Sequence, residues 1–418
     1  MKSSQKLLLI AMVVMSSCQN NIVLTFDNPL DIQRENEVIV FTFDELESLI
    51  GPFKEGQKPL FISGADTLIA QFINYQGNQL PEEILIEMSI SSNASREVTV
   101  EWLKEANYPD FPEETSIHFA RHQDPDKDLD SAERLQTVKT EETSAVFQME
   151  GPAWENDKVG FRNYFDLRNG MDIFGKRTSE MILSNVGLKE EAASSNRFDF
   201  SKSYHELSDW GMDVLKVGNS LGAGAVALEI GDSLCRLGDN GYGTYEKLYE
   251  GPLKSEFRFS FPDWRAAGKI RNIVQYISIT AGKYCYKSSL FLKENADNAS
   301  FITGIVNKQA EELISFDAGN EHIAFLTHSR QAEDGNYLGM AILVNKEDLL
   351  SSGKTRDEGE GITETYFLKL NTGKGDETIY RFYGFWETTN PDFKDIENIK
   401  SIIDRDALKI ENPIKVDR

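Results

Sequence analysis

The strongest constraint on this chain is a long succession of short, partly alternating apolar segments divided by Gly, Asn, Asp and Ser turns. Pro59 to Ile62, Thr67 to Ile73, Ile84 to Ile90 and Glu97 to Leu103 are early examples. Ser255 to Phe261, Asn272 to Thr280, Ser288 to Lys293, Phe301 to Val306, His322 to His328, Leu338 to Val344, Thr363 to Leu370 and Thr378 to Trp386 continue the series. Alternation with period two marks strands with one buried face, and regular spacing between turns marks sandwiches and barrels. Few stretches carry the 3.6-residue period of a long amphipathic helix. A helical turn or two is expected after Asp44, and a closing helix over Ile399 to Leu408. The fold class is therefore mainly β, a large β-sandwich or supersandwich with few short helices. The expected organisation is an N-terminal sandwich-like part over 37–142 and a main part over 143–418 that carries the site, unless the two form one continuous domain. No internal repeat or low-complexity segment separates further modules.

The chain opens MKSSQKLLLIAMVVMSSCQN. Lys2 and Lys6 precede an apolar run from Leu7 to Met15 that is too short to span a bilayer and suits a signal peptide. Ser16 and Ser17 stand directly before Cys18, as in a bacterial lipoprotein cleavage box. Residues 1–18 are thus expected to be a signal, Cys18 the lipidated first residue, and 19–36 a tether. Gln19-Asn20 carries no Asp that would retain a lipoprotein at the inner membrane. An exported lipoprotein of the outer membrane is expected, facing the periplasm or the cell surface and touching the membrane only through its anchor. Cys235 and Cys285 are open to two readings, a bridge or two free thiols.

Asp and Glu number 68 against 44 Lys and Arg. No basic stripe is present, so nucleic acid is excluded as a partner. There is no P-loop, dinucleotide fingerprint, HExxH, Cys/His cluster or GxSxG elbow, and no cofactor or metal is expected. Asp126, Asp128 and Asp130 alternate as in a calcium loop but lack its central Gly and distal Glu, so a solvated loop is the better reading.

Two stretches are dense in chemistry. The first, GPAWENDKVGFRNYFDLRNGMDIFGK, spans Gly151 to Lys176 and reads as a strand with one polar face, bearing Trp154, Asn156, Arg162, Tyr164 and Arg168. The second, YHELSDWGMDVLKVGNSLGAG, starts at Tyr204 and carries His205, Trp210, Lys216 and Asn219. A Tyr–His pair suits proton abstraction beside a carboxylate. His118, with Arg121 nearby, is a further binding candidate. The glycines from Gly218 to Gly224 read as a tight turn at which backbone approaches a ligand. Glu155, Asp157, Asp166, Glu206 and Asp209 are the carboxylates near these stretches.

These two stretches resemble a family of secreted Bacteroidetes proteins from polysaccharide utilisation loci, catalogued as a domain of unknown function, and within it the ulvan oligosaccharide dehydratase branch. The resemblance covers nearly the whole mature chain. It implies removal of water across C4 and C5 of a saturated uronic acid, glucuronic or iduronic, at the non-reducing end of a sulfated oligosaccharide. A base must reach the C5 proton, an acid the 4-hydroxyl, and a cation or amide the carboxylate. By residue type, His205 or Tyr204 is the base and Tyr164 the acid. Arg162 and Asn156 hold the carboxylate, Arg168 and Lys216 contact sulfate or carboxylate, Trp154 stacks, and Asn219 and His118 complete the binding set. Two other classes use the same residues: a non-catalytic carbohydrate-binding lipoprotein and a glycoside hydrolase.

Overall fold

The computed structural model describes residues 22–75, 80–138, 145–188, 198–200, 202–239, 242–293, 299–373 and 377–418. Three antiparallel sheets build the larger body. The widest has nine strands, ordered Ser131–Glu133, Thr244–Tyr249, Lys254–Ala266, Lys269–Thr280, Cys285–Lys293, Thr378–Trp386, Leu338–Asn345, His322–Ser329 and Ile314–Ala318. A second sheet runs Gly211–Asp213, Met171–Lys176, Val159–Asn163, Ala153–Asn156 and Thr115–His118. A third runs Ser233–Arg236, Ala223–Ile230, Ala299–Val306, Thr365–Leu370 and Leu349–Lys354.

Alternation decides the layering. Phe257, Phe259 and Phe261 point one way from their strand, as do Ile273, Ile277 and Ile279 from the next, and Leu338, Met340, Ile342 and Val344 from theirs. They meet Trp154, Phe161 and Ile173 of the second sheet and Val226, Leu228, Phe301 and Ile305 of the third in one continuous core. The intervening residues of the nine-stranded sheet face outward. Ala324, Ala341, Leu343, Tyr383 and Phe385 receive Ile399, Ile403 and Ala407 of the helix Ile396–Glu411. That spacing of four is the apolar stripe of a surface helix, and Asp395 caps its start by accepting the Glu397 amide at 3.0 Å. The fold is a β-supersandwich, as the strand pattern predicts.

A smaller sandwich packs beside it. One layer is ordered Lys415–Asp417, Ile22–Asp27, Ser95–Lys104, Gln57–Ser63 and Asp66–Thr67; the other is Arg34–Thr42, Glu83–Ile90 and Ala70–Ile73. They enclose Leu24, Phe26, Phe41, Phe61, Ile84, Ile86, Val98 and Val100. A capping box at Thr42 and Glu45 starts the helix Phe43–Ile50.

Two boundaries differ from the sequence reading. Residues 22–27 are not tether but an interior strand, with Leu24 and Phe26 fully buried. The signal was the alternation Ile22-x-Leu24-x-Phe26. The strands Thr115–His118 and Ser131–Glu133 belong to the larger body, so the small sandwich ends well before residue 142 and regains a strand from the C-terminus. Cys235 and Cys285 are both free, in different sheets. Cys18 lies outside the described residues. Among these, no helix is long and apolar enough to cross a membrane.

Candidate active site

The site grows from one hairpin. Register places Arg162 opposite Asp172, and Phe174 opposite Asp213 on the next strand. Directly opposed residues share a face, so Arg162, Asp172, Phe174 and Asp213 project from the side turned away from the main core. Gly211 makes the third strand possible. It has φ +136°, and a Cβ there would stand 1.8 Å from the Gly175 carbonyl oxygen. Ile182, Leu183, Val186, Phe200 and Trp210 cluster around Phe174 and roof this face, with Tyr204 at their edge. The Asp213 amide donates to the Tyr204 carbonyl at 2.8 Å, which fixes Tyr204 and His205 beside the hairpin.

Arg162 is the hub. It is 1% exposed and uses its guanidinium completely. Nε donates to Asp172 Oδ2 at 3.1 Å. Nη1 donates to the Met149 carbonyl and to Tyr204 Oη, both at 3.2 Å. Nη2 donates to Asp172 at 2.7 Å, Asp213 at 2.6 Å and Tyr164 Oη at 2.8 Å. The Tyr164 hydroxyl in turn donates to Asp172 at 2.8 Å. His205 Nδ1 lies 3.3 Å from Asp213 Oδ2 on a side chain that is 58% exposed. With Nδ1–H held by the carboxylate, Nε2 is the basic nitrogen.

The electrostatics follow from burial and shared partners. The Asp213 hydrogen bond raises the His205 pKa above its ordinary value, against partial burial. Burial lifts the Tyr164 hydroxyl well above the usual tyrosine range; Arg162 opposes this and Asp172 reinforces it. Burial, then Asp213, push Asp172 above the usual carboxylate range against the pull of Arg162. Arg168 lies over the Tyr164 ring, 4.1 Å from its centroid, and is paired with Asp166 at 2.5 Å and Glu150 at 2.7 Å. Two guanidiniums thus stand among four carboxylates. Among the described residues, no three His, Cys, Asp or Glu side chains converge in a way that would hold a metal ion.

The structure brings Tyr164, Tyr204, His205 and Arg162 to one place, with Arg168 at its border. It denies other expected roles. Arg162, expected to hold a substrate carboxylate, has every guanidinium donor engaged by protein acceptors. Asn156 is fully buried: its Nδ2 donates to the Thr280 and Lys283 carbonyls, and its Oδ1 accepts the Lys158 and Val159 amides. Trp154 has no exposed surface and stacks on Phe161 in the core, so no sugar reaches it. Trp210 is likewise inside, stacked on Phe200. His118 is buried between Asp128, at 2.8 Å from Nδ1, and Gln148, at 2.8 Å from Nε2, and it holds strands together. The Gly218–Gly224 turn meets protein rather than ligand: the Tyr286 hydroxyl donates to the Ala223 carbonyl at 2.7 Å. Lys216 and Asn219 are exposed, and no contact joins either to the Arg162 cluster among the described residues.

Asp172 and Asp213 are the members that sequence reasoning missed. The alternation Arg162-x-Tyr164 facing Asp172-x-Phe174 across a hairpin was the available signal for the first. For Asp213, in a three-residue strand made possible by Gly211, the signal was only its nearness to His205 in the sequence.

Over residues 26–416 the sequence matches the family described as Domain of unknown function (DUF4861). The chain belongs to this family. An alignment of 143 positions that covers 31% of the DUF4861 chain is 27% identical to a protein of Formosa agariphila bearing the name "Uncharacterized protein P7". The match spans 34% of that protein. Two solved structures from Enterococcus faecalis align over 95% of the DUF4861 chain with a TM-score of 0.48. One is a protein in glycosyl hydrolase family 38, at 8% identity and with 47% of its chain covered. The other is an alpha-mannosidase, at 7% identity and with 46% covered.

Proposed function

We propose that the chain is a hydro-lyase acting on the non-reducing-end uronic acid, glucuronic or iduronic, of ulvan oligosaccharides. Water leaves across C4 and C5 and a 4,5-unsaturated uronic acid results. The observation that carries this reading is the meeting of the Tyr204–His205 pair with the Arg162 hub. An imidazole held by Asp213 stands next to a tyrosine hydroxyl that accepts from a guanidinium, with ring centroids 4.4 Å apart.

The step balances on these groups. His205 Nε2 takes the C5 proton, the C5–H electrons form the C4–C5 double bond, and the C4–O bond breaks. Tyr204 donates its proton to the departing hydroxyl, which leaves as water. Arg162 then stabilises the tyrosinate. Tyr164 is unsuited to this transfer because its proton is committed to Asp172. It positions Arg162 instead. Counter-charge for the substrate carboxylate is assigned to Arg168, which lies over the Tyr164 ring at the border of the cluster. The excess of carboxylate over guanidinium around Tyr164 favours glycoside hydrolysis as the second reading, in which a neutral sugar is bound.

Tyr204→Phe separates the roles. It is expected to lower elimination by roughly 100-fold while exchange of the C5 proton with deuterated solvent, catalysed by His205, persists. His205→Ala should lose both. Unchanged elimination in Tyr204→Phe, or release of sugar instead of water, contradicts the proposal.

Export with lipidation at Cys18 is part of the same reading, since a periplasmic or cell-surface enzyme meets imported or extracellular oligosaccharide. In a bacterial host, Cys18→Ala is expected to abolish fatty-acid labelling and release the protein from the membrane fraction. Persistent labelling of that variant would rule the anchor out.

A further inference from the structure

A cavity of about 390 Å³ opens where the small sandwich, the closing helix and the outer face of the nine-stranded sheet meet. It lies across that sheet from the Arg162 cluster, since Cys285 and Tyr383 on its floor belong to the outward-facing residues. In a chain with a formal net charge of −24, it is lined by five cations: Lys254, Lys283, Lys287, Arg381 and Lys409. Glu37, Glu83 and Asp406 are the carboxylates in the same lining.

Four of the cations have partners. Lys283 reaches Asp406 at 3.1 Å, Lys409 reaches Glu37 at 3.5 Å, Lys254 reaches Glu83 at 3.5 Å and Lys287 reaches Glu377 at 3.5 Å. The Arg381 side chain makes no hydrogen bond or ion pair within the described residues. It stands directly opposite Lys287 in the strand register. Like charges opposed across neighbouring strands repel, and here both lie in a recess where water screens them less. Burial, with Arg381 as a further cause, lowers the Lys287 pKa. An oxyanion between the two would replace repulsion with charge-assisted hydrogen bonds, and the planar guanidinium is the fork that matches it. Ser278, the register partner of Lys287, adds a hydroxyl in the lining.

We propose that this cavity is a second ligand site, binding a carboxylate or sulfate group on a sugar-sized body between Lys287 and Arg381. The volume suits such a ligand. The site is independent of the chemistry at His205.

Calorimetric titration of the full chain with inorganic sulfate, with glucuronate and with glucose, at ionic strength held constant with chloride, tests it. Saturable binding of the two anions and none of glucose is expected. Arg381→Gln is expected to weaken it roughly tenfold or more, with an unchanged or higher thermal midpoint because a repulsion is removed. Lys287→Gln gives the same reading should Arg381→Gln fail to fold, and His205→Ala leaves the affinity unchanged. Tighter binding of glucuronate than of sulfate assigns a sugar acid, and the reverse assigns a free oxyanion. Absence of saturable anion binding, or equal affinity in both charge variants, overturns the proposal.

Discussion

His205→Ala is expected to lower turnover of a uronic-acid-terminated oligosaccharide by roughly 100- to 10,000-fold, the range a general base supplies. The fold should be nearly indifferent, because the side chain is 58% exposed and pairs with Asp213 at 3.3 Å. Surface changes of this kind typically fall within about 0.5 kcal/mol. The pH profile adds a sharper signature. A base works only when neutral, so the rate should rise with pH through a value above the ordinary imidazole range, where the Asp213 hydrogen bond has moved the group. Asp213→Asn removes that cause, and the acid limb should move to lower pH. Stability runs the opposite way. A pKa raised in the folded state gives stability that is fully present below the unfolded value and is lost as pH rises through the folded one. Activity gain and slight loss of stability should therefore share one pH window.

Arg162→Met is expected to be the most destabilising change at the site, by about 3–5 kcal/mol, because it leaves buried carboxylates without their counter-charge. Asp172 and Asp213 are each almost fully buried, and both accept from the same Nη2. Denaturant unfolding measures the loss. Combining Arg162→Met with Asp172→Asn and Asp213→Asn should recover much of it, since the cost lies in unpaired charge rather than in lost packing. A guanidinium that served the ligand instead would show the reverse: little loss of stability in the single variant and a large rise in KM.

The layering was legible because period-two alternation survives in nearly every strand of the nine-stranded sheet. Phe257, Phe259 and Phe261 announce their buried face without any tertiary information. The first strand was missed because Ile22–Asp27 adjoins a polar stretch, and its burial depends on a partner strand at the far end of the chain. At the site, residue type located the two stretches that meet but not the direction of their side chains. Trp154 and Arg162 are eight residues apart and read alike as ligand contacts. The pleat sends Trp154 into the core and Arg162 to the opposite face, where two aspartates consume its donors. A one-residue difference in parity decides such assignments, and composition carries no information about it. The basic cavity around Arg381 was invisible for a similar reason, since its cations come from separate strands, a turn and the closing helix.

The central claim is elimination of water by the Tyr204–His205 pair. Its most direct test is to incubate the protein with ulvan oligosaccharides ending in a saturated uronic acid, following mass and ultraviolet absorbance together. Loss of one water per molecule with new absorbance from the conjugated double bond, abolished in His205→Ala, is the result expected. Released monosaccharide, or binding with neither change, would contradict it.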